Sequence, residues 1–261
     1  MIRAIAFDFD GVLVESVDVK TCAYVRLFEE YGRGTVSKIV DYHMKNGGVS
    51  RFVKFRTIYD EILKQPLSED KFKSLSEQFS SIVVDEVVAA PWVEGVQEFL
   101  EKNKNRYLYF VVSGTPQKEL ESIIQRRRMS QYFCEVLGSP KDKVALFREV
   151  LPRLNLIPKE TVFVGDAETD WNAAKTVGLH FLWRHVPTDA TLLKGYTGPK
   201  MTTLSFLEEN LETLKKQIVF EGWNELNDSQ GYFMSDLSKK ISLAVLHYLK
   251  TNSPKRSHLD H

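Results

Sequence analysis

The sequence predicts an α/β protein, in which a parallel sheet forms the core, an all-helical segment is inserted after the first strand, and a helical extension follows the core. A nearly continuous apolar run at residues 2–7 is typical of a strand that is buried on both faces of a parallel sheet. Strands and helices alternate between residues 107 and 183, which favours a sheet covered by helices on both faces. Residues 17–88 show helical patterns and no convincing strand.

The predicted elements follow one another in a regular order. The α/β part has strands at residues 2–7, 107–112, 133–137, 161–164 and 180–183, and a closing helix at 202–216. The inserted segment has four helices, separated by breaks with glycine or proline, at residues 17–31, 36–45, 51–65 and 69–88. Ser68 is the predicted N-cap of the last of these helices. The predicted domains are therefore a core at residues 1–16 and 89–216, a helical domain at 17–88 and a C-terminal extension at 217–261.

The C-terminal extension is predicted to contain a polar turn at residues 227–229 and a helix from about Ser235. This helix has one apolar face, formed by Leu237, Ile241, Ala244, Val245, Tyr248 and Leu249. An apolar face must be buried against another surface. Two alternatives stay open, namely packing on this chain's own core and formation of a homodimer through the extension.

Composition limits the function classes. Of the 261 residues 43% are hydrophobic and 27% charged, and the 35 basic and 35 acidic residues give a formal net charge of zero. This balance argues against broad electrostatic binding to nucleic acid or to an anionic membrane. No apolar run approaches the roughly 20 residues that span a bilayer, and no basic-then-apolar leader is present. We therefore expect a cytoplasmic protein without a nucleic-acid or membrane partner. The two cysteines, Cys22 and Cys134, predict buried thiols rather than a disulfide framework.

Polar residues that could carry chemistry follow four of the predicted strands. They are Asp8 and Asp10 after the first strand, Ser113, Gly114 and Thr115 after the second, Lys141 and Lys143 after the third, and Asp166 and Asp170 after the fourth. Each group alone is also explained by a turn, a surface lysine or a helix cap. Because ligands of open α/β sheets bind outside the carboxyl ends of the strands, we expect these residues to meet at one edge. Clustered carboxylates repel one another unless a cation lies among them, and their hard oxygen ligands suit Mg²⁺.

The order and content of these motifs resemble the haloacid dehalogenase-like hydrolase superfamily. The motifs that carry the resemblance are Asp8-Phe9-Asp10-Gly11, Ser113-Gly114-Thr115, a lysine at 141 or 143, and Gly165-Asp166-Ala167-Glu168-Thr169-Asp170. The resemblance covers about residues 2–216 and implies a Rossmann-like core. The inserted helices resemble the helical cap that this superfamily places directly after the first motif.

The resemblance implies Mg²⁺-dependent hydrolysis of a small phosphorylated metabolite through an aspartyl-phosphate. Asp8 would be the nucleophile, and Asp10 would act first as general acid and then as general base. Asp8, the backbone carbonyl of Asp10 and Asp166 would hold the metal, with Asp170 as a more remote or water-mediated ligand. Ser113 would be a further catalytic group. Together with Gly114 and Thr115 beside it, it would bind the phosphoryl oxygens.

Two assignments of basic residues stay open within the resemblance. A lysine should neutralise Asp8 and the phosphoryl group, and Lys143 fits the pattern better than Lys141. On the third inserted helix, Arg51 and Lys54 are three residues apart and could contact an anionic substrate. A solvated helix face, which would also include Arg56, is the interpretation that the charge pattern favours.

Two further functions are compatible with the sequence. A phosphomutase would return the phosphoryl group to a sugar rather than to water. A non-catalytic binding or assembly protein could keep the fold and use the C-terminal extension as its working surface.

Overall fold

The structure is a computed structural model that describes residues 1–185, 193 and 195–229, with side chains described up to residue 218. The chain divides into two compact units, Met1–Thr213 and Leu214–His261. The first unit contains both the sheet and the inserted helices. Within the described residues, no helix combines the length and the apolar character needed to cross a membrane.

The sheet is parallel throughout and confirms the predicted α/β fold class. Its six strands lie in the order β3-β2-β1-β4-β5-β6. They are β1 Ala4–Phe7, β2 Leu108–Pro116, β3 Glu135–Ser139, β4 Thr161–Gly165, β5 His180–Arg184 and β6 Lys200–Met201. The sequence did not predict β6, because two residues are too few to show a strand pattern.

Helices surround the sheet and form the whole insertion. They are α1 Val17–Phe28, α2 Arg33–Lys45, α3 Arg51–Thr57, α4 Glu69–Ala89, α5 Val96–Asn103, α6 Gln117–Arg126, α7 Lys143–Arg153, α8 Glu168–Val177 and α9 Leu207–Ser229. Short 3-10 turns occur at Glu29–Tyr31, Pro158–Glu160 and Leu204–Phe206, and a π-helical turn occurs at Ile58–Leu63.

Strand β1 lies at the centre of the sheet between β2 and β4. All four of its residues are fully buried, which explains why its sequence is continuously apolar rather than alternating. The chain first adds β2 and β3 on one side of β1 and then returns to add β4 on the other side. This reversal creates a crevice at the carboxyl ends of β1 and β4, where ligands of such sheets bind.

The inserted helices have an aromatic core of their own. The rings of Tyr24, Phe28, Phe55 and Phe79 form one packed cluster, in which the Tyr24 and Phe79 ring centroids are 5.0 Å apart. Helix α4 begins at the predicted cap, because the Ser68 hydroxyl accepts a hydrogen bond from the backbone N–H of Lys71 at 3.2 Å.

Two predictions about the rest of the chain are wrong. Helix α9 continues through residues 227–229, where the sequence predicts a turn, because asparagine, aspartate and serine occur in the last turn of a helix as well as in loops. Cys22 and Cys134 are free and exposed rather than buried, since each lies on the solvent side of its segment. The apolar helix predicted from about Ser235, and with it the predicted dimer surface, lies outside the described residues.

Candidate active site

The loop after β1 brings Asp8 to the crevice in a fixed orientation. The backbone N–H of Asp8 donates to the carbonyl of Val164 at 2.9 Å, so the residue still belongs to the sheet ladder. The Asp8 carboxylate accepts from the N–H of Phe9 at 2.8 Å and is buried. Gly11 turns the loop with a φ of +76°, and a side chain there would collide with the Asp166 carboxylate. The glycine is therefore needed for both the turn and the close approach.

Asp10 is held by three donors on the other side of the loop. Ser16 donates to Oδ1 at 2.6 Å, Thr115 donates to Oδ2 at 2.9 Å, and the ammonium group of Lys20 forms an ion pair with Oδ2. Burial raises the pKa of Asp10, but attraction to Lys20 and these hydrogen bonds outweigh it, so the pKa is lowered overall. The ionised carboxylate is the favoured form in this arrangement.

The loop after β2 contacts the inserted helices. Ser113 is buried, and its hydroxyl accepts from the N–H of Thr115 at 3.1 Å. A Cβ at Gly114 would collide with the carbonyl of Gly48, which lies between α2 and α3. The neighbouring carbonyl of Gly47 accepts from the Thr169 hydroxyl at 2.6 Å. The loop between α2 and α3 therefore lies directly over the polar strand ends.

Helix α7 supplies the lysine beside Asp8. The Asp142 side chain caps this helix by accepting from the N–H of Ala145 at 2.8 Å, which makes Lys143 its first residue. The Lys143 Nζ lies 3.1 Å from Oδ1 of Asp8 and also pairs with Asp170. Lys141 is exposed and pairs with Glu149 at 2.7 Å. The geometry thus places Lys143, and not Lys141, among the strand-end carboxylates.

Three carboxylates gather at this point, with oxygens of Asp8, Asp166 and Asp170 all within 4.8 Å of one another. Asp170 is fixed by the N–H groups of Asp166 and Ala167 at 3.2 and 3.0 Å. Burial raises the pKa of Asp8 to about 7, opposed by Lys143 and reinforced by Asp170 and Asp10. Burial and repulsion from Asp8 and Asp170 also hold the pKa of Asp166 well above its ordinary range.

The charge in this cluster is unbalanced. Lys143 pairs with Asp8 and Asp170, and in the described part of the chain no ion pair joins it to Asp166. Burial lowers the pKa of Lys143, but attraction to the two carboxylates raises it overall, so the lysine is charged. One ammonium faces two buried carboxylates and the half-buried Asp166, and their hard oxygen atoms match the ligands that Mg²⁺ prefers. The residues present therefore fit a divalent cation.

The interpretation of Arg51 and Lys54 as part of a solvated helix face is wrong. Their exposed fractions are 5% and 3%, while the Arg56 side chain is 56% exposed. The Arg51 guanidinium pairs with Glu119 of α6, donates to the Ser80 hydroxyl at 3.0 Å and lies over the Phe79 ring. Charge pattern alone did not predict this burial, because the partners come from α4 and from the core.

Lys54 is buried beside His43 of α2. Its Nζ lies 2.9 Å from Nδ1 of His43 and 3.3 Å from the carbonyl of the same residue. Burial lowers the pKa of His43 to about 2, so Nδ1 of the neutral ring accepts from the ammonium. Burial, with a smaller contribution from the neighbouring Lys20, lowers the pKa of Lys54 to about 7, while Asp10 opposes this shift.

We expect Lys54→Met to be more stable than the wild type at pH 7, with an advantage that decreases towards pH 10. The pKa of Lys54 is about 7 in the folded state, against an ordinary value of 10.5. Between these values the unfolded chain binds more protons, so the wild type gains stability as pH rises. Below about pH 7 the wild type bears the full free-energy cost of burying the ammonium, and by about pH 10.5 this cost has disappeared. Besides Lys20 and Asp10, the charged groups that act on Lys54 are Asp166 and Lys143.

Differential scanning calorimetry of both proteins at pH 6, 7, 8.5 and 10 measures this difference directly. Other groups titrate over the same range, but they are common to the two proteins and cancel in the comparison. A difference in Tm that does not change with pH, or a variant less stable than the wild type at pH 7, would contradict the prediction.

A cavity of about 510 Å³ connects these groups. On the sheet side it is lined by Asp8, Asp10, Ser113 and Asp166, and on the side of the inserted helices by Lys20, Tyr24, His43, Arg51 and Lys54. The volume suits a small metabolite. Its two walls differ in chemistry, because the sheet side carries the carboxylates and the helical side carries the cations.

Comparison with known proteins adds independent findings. Residues 5–184 match the family described as haloacid dehalogenase-like hydrolase. The chain is 26% identical over 189 residues to the phosphorylated carbohydrates phosphatase of Thermotoga maritima, which covers 69% of this chain and 84% of the relative. It is 23% identical over 185 residues to phosphoglycolate phosphatase 1 of Pseudomonas aeruginosa, with 68% and 67% covered.

A solved structure shows the same fold. The β-phosphoglucomutase of Clostridium difficile superposes with a TM-score of 0.70 at 19% identity, over 84% of this chain and 100% of that chain. The family match includes more than half of the chain, and it agrees with the motif order at the strand ends and with the sheet topology. The chain therefore belongs to the haloacid dehalogenase-like hydrolases.

Proposed function

We propose that this enzyme hydrolyses small phosphomonoesters in a Mg²⁺-dependent reaction that passes through an aspartyl-phosphate on Asp8. The observation that carries the proposal is the position of Asp8, which is buried at the end of the central strand, 3.1 Å from the Lys143 Nζ and within a three-carboxylate cluster. A carboxylate so placed is directed at the cavity and can act as a nucleophile. The phosphatase names of two curated relatives support the same reaction class.

The first step is attack of an Asp8 oxygen on phosphorus, with departure of the leaving oxygen. Ser113 and the backbone N–H of Gly114, with Thr115 beside them, would donate hydrogen bonds to phosphoryl oxygens, where negative charge develops. Lys143 neutralises Asp8 and the phosphoryl group. Asp8, Asp166 and the backbone carbonyl of Asp10 would hold Mg²⁺, with Asp170 as a remote or water-mediated ligand. The metal would offset the repulsion between carboxylate and phosphate.

Asp10 moves the protons in both steps. A phosphoryl group beside Asp10 adds negative charge, which raises the pKa of the carboxyl and favours the protonated form that the leaving oxygen needs. Once the leaving group has departed, the attraction of Lys20 favours the ionised form. That form accepts a proton from the water that attacks the aspartyl-phosphate.

The inserted helices at residues 17–88 would act as a cap on the core at 1–16 and 89–216. The contacts of Gly48 with Gly114 and of Gly47 with Thr169 support this, because they close the loop between α2 and α3 over the strand ends. A closed cap excludes water and selects the substrate by the groups it presents to the cavity. Arg51 and Lys54 are the cationic cap residues of the proposed substrate site.

We expect hydrolysis of an aryl phosphate and of a panel of phosphorylated metabolites to require Mg²⁺. Phosphate release should fall at least about 100-fold when EDTA removes the metal and return on addition of excess Mg²⁺, because the metal stabilises transition-state charge by several kcal/mol. Excess Ca²⁺ serves as the control, since its longer bonds and higher coordination number fit an octahedral site poorly. Full activity in EDTA, or inactivity on the whole panel with Mg²⁺, would contradict the proposal.

A phosphomutase is the second candidate, and the β-phosphoglucomutase with the same fold favours keeping it. Incubation with a sugar phosphate separates the two reactions. Release of phosphate in proportion to lost substrate identifies the hydrolase, and formation of an isomer without release identifies the mutase. The alternative of a non-catalytic assembly protein rests on the C-terminal extension, most of which lies outside the described residues.

A further inference from the structure

Lys54 is a buried cation on the wall of the cavity. Its side chain is 3% exposed, and among the described residues no carboxylate lies within ion-pair distance of its Nζ. Its two hydrogen-bond acceptors, Nδ1 and the carbonyl of His43, are both neutral, and its Nζ also lies 5.9 Å from the centroid of the Tyr24 ring. An ammonium has three donors, so one donor of this cavity-lining residue has no hydrogen-bond acceptor among the described residues.

Of the other cations at or beside the cavity, Lys45 is exposed to solvent, and the remaining three are neutralised by protein carboxylates. Lys20 pairs with Asp10, and Lys143 pairs with Asp8 and Asp170. Arg51 pairs with Glu119, and this pair is buried on both sides, with exposed fractions of 5% and 8%. Among the described residues, the helical wall of the cavity therefore has one buried positive charge without a counter-ion, and Lys54 carries it.

An ammonium buried without a counter-ion is costly, as its lowered pKa shows. An apolar side chain would fill the same place beside the aromatic core at lower cost. Such a perturbed group in a cleft is typical of a functional site, where a ligand of opposite charge offsets the cost. His43 sets the direction of the ammonium, because the ring accepts from it on one side and packs on Tyr24 at a centroid distance of 4.5 Å.

We propose that Lys54, oriented by His43, binds a carboxylate at the end of the substrate opposite the phosphoryl group. This inference rests on the proposed function, because it assumes that the phosphoryl group lies at Asp8. One buried positive charge without a counter-ion matches the single negative charge of a carboxylate and provides no second buried cation for the second charge of another phosphate. The substrate class is therefore a small phosphorylated carboxylic acid, rather than a bisphosphate or a phosphorylated sugar without an acid group.

The test compares ligands that differ only at the far end. The acid 2-phosphoglycolate is compared with its neutral analogue 2-hydroxyethyl phosphate, and the acid 3-phosphoglycerate with glycerol 3-phosphate. Ethylene glycol bisphosphate serves as the bisphosphate. Binding is measured by calorimetry on Asp8→Asn with Mg²⁺, alone and combined with Lys54→Met or Lys54→Gln. Hydrolysis by proteins with an intact Asp8 is followed in parallel by phosphate release.

We expect one acid or both to bind about tenfold or more tightly than the neutral analogue, a gain typical of a hydrogen bond to a charged group. Lys54→Met and Lys54→Gln should each abolish this preference for the acid. The affinity for the neutral analogue should stay within about twofold of that of the protein with Lys54. Arg56→Met is the matched control, because Arg56 is an exposed cation on the same helix α3. This variant should prefer the acid over the neutral analogue by the same factor as Asp8→Asn alone. Lys54→Gln keeps a hydrogen-bonding side chain, so it guards against a packing defect in Lys54→Met.

Binding and hydrolysis separate the two proposals. The carboxylate site is overturned if each acid binds no more tightly than its neutral analogue. It is also overturned if the Lys54 variants lose affinity equally for acid and neutral ligands. In either case, hydrolysis of the ligands would still support the enzyme. Tighter binding of the bisphosphate than of either acid overturns it as well. Discrimination by Lys54 without hydrolysis of any ligand overturns the proposed function and supports the binding site.

Discussion

Replacing Asp8 by asparagine is expected to lower kcat for phosphomonoester hydrolysis by at least about 1,000-fold, as loss of a nucleophile does in covalent catalysis. Asparagine has the same shape and can still accept the hydrogen bond from the N–H of Phe9. Its neutral amide cannot attack phosphorus, and no carboxylate oxygen is left for the metal at that position. The loss should therefore appear in kcat, with little loss of substrate binding.

The fold should survive this change, because Lys143 keeps its ion pair with Asp170 and one of three mutually repelling carboxylates becomes neutral. Asp18→Asn is the matched control, since Asp18 is an exposed aspartate in the first turn of α1 and close in sequence. Steady-state kinetics and thermal unfolding of the three proteins test the prediction. More than about a tenth of wild-type activity in Asp8→Asn would remove the nucleophile assignment.

The carboxylates of the site could be predicted because they occupy strand ends. Asp8, Asp10 and Asp166 each follow an apolar run, and parallel strands bring their carboxyl ends to one edge whatever the loops between them. A residue that directly follows a strand in the sequence can therefore be assigned to this edge of the sheet. The same reasoning predicted the fold class, since the strand and helix periods alternate clearly in the core.

Lys20 and His43 could not be found in this way. They are helical residues whose neighbours at the site come from distant segments, as the contact between Lys20 and Thr115 shows. A lysine in α1 has the same pattern in sequence whether it faces solvent or Asp10. The burial of Arg51 depends in the same way on Glu119, which is 68 residues further along the chain. Helix period gives the face of a residue but not what packs against that face.

The two lysines before and at the start of α7 differ in the same respect. The sequence places both after β3, and pattern alone leaves them as alternatives. The N-cap at Asp142 separates them, because Lys143 begins the helix and enters the site, whereas Lys141 precedes the cap and remains outside. The capping residue between the two lysines therefore decides which of them can reach Asp8.

Lys143→Met is expected to cost about 3–5 kcal/mol of stability in the absence of metal and to reduce kcat/KM at least about 100-fold. Removing one partner of a buried ion pair leaves the other charge uncompensated, and here it leaves Asp8 and Asp170 without their ammonium and next to Asp166. Attack by Asp8 on a phosphoryl dianion also loses the cation that offsets their repulsion. Methionine has a similar length and keeps contact with the Phe163 ring, over which the Lys143 Nζ lies at 5.6 Å.

Lys141→Met is the control for this prediction, because it removes the same charge two residues away, at a side chain that is 56% exposed. An exposed pair such as Lys141 with Glu149 contributes at most about 1 kcal/mol, so stability and kcat/KM should stay close to those of the wild type. Chemical denaturation with and without Mg²⁺ gives a second measurement. Mg²⁺ should stabilise Lys143→Met more than it stabilises the wild type, because the cation then offsets charge that Lys143 otherwise offsets. Equal effects of the two substitutions on kcat/KM would show that Lys143 takes no part in the reaction, whatever its distance from Asp8.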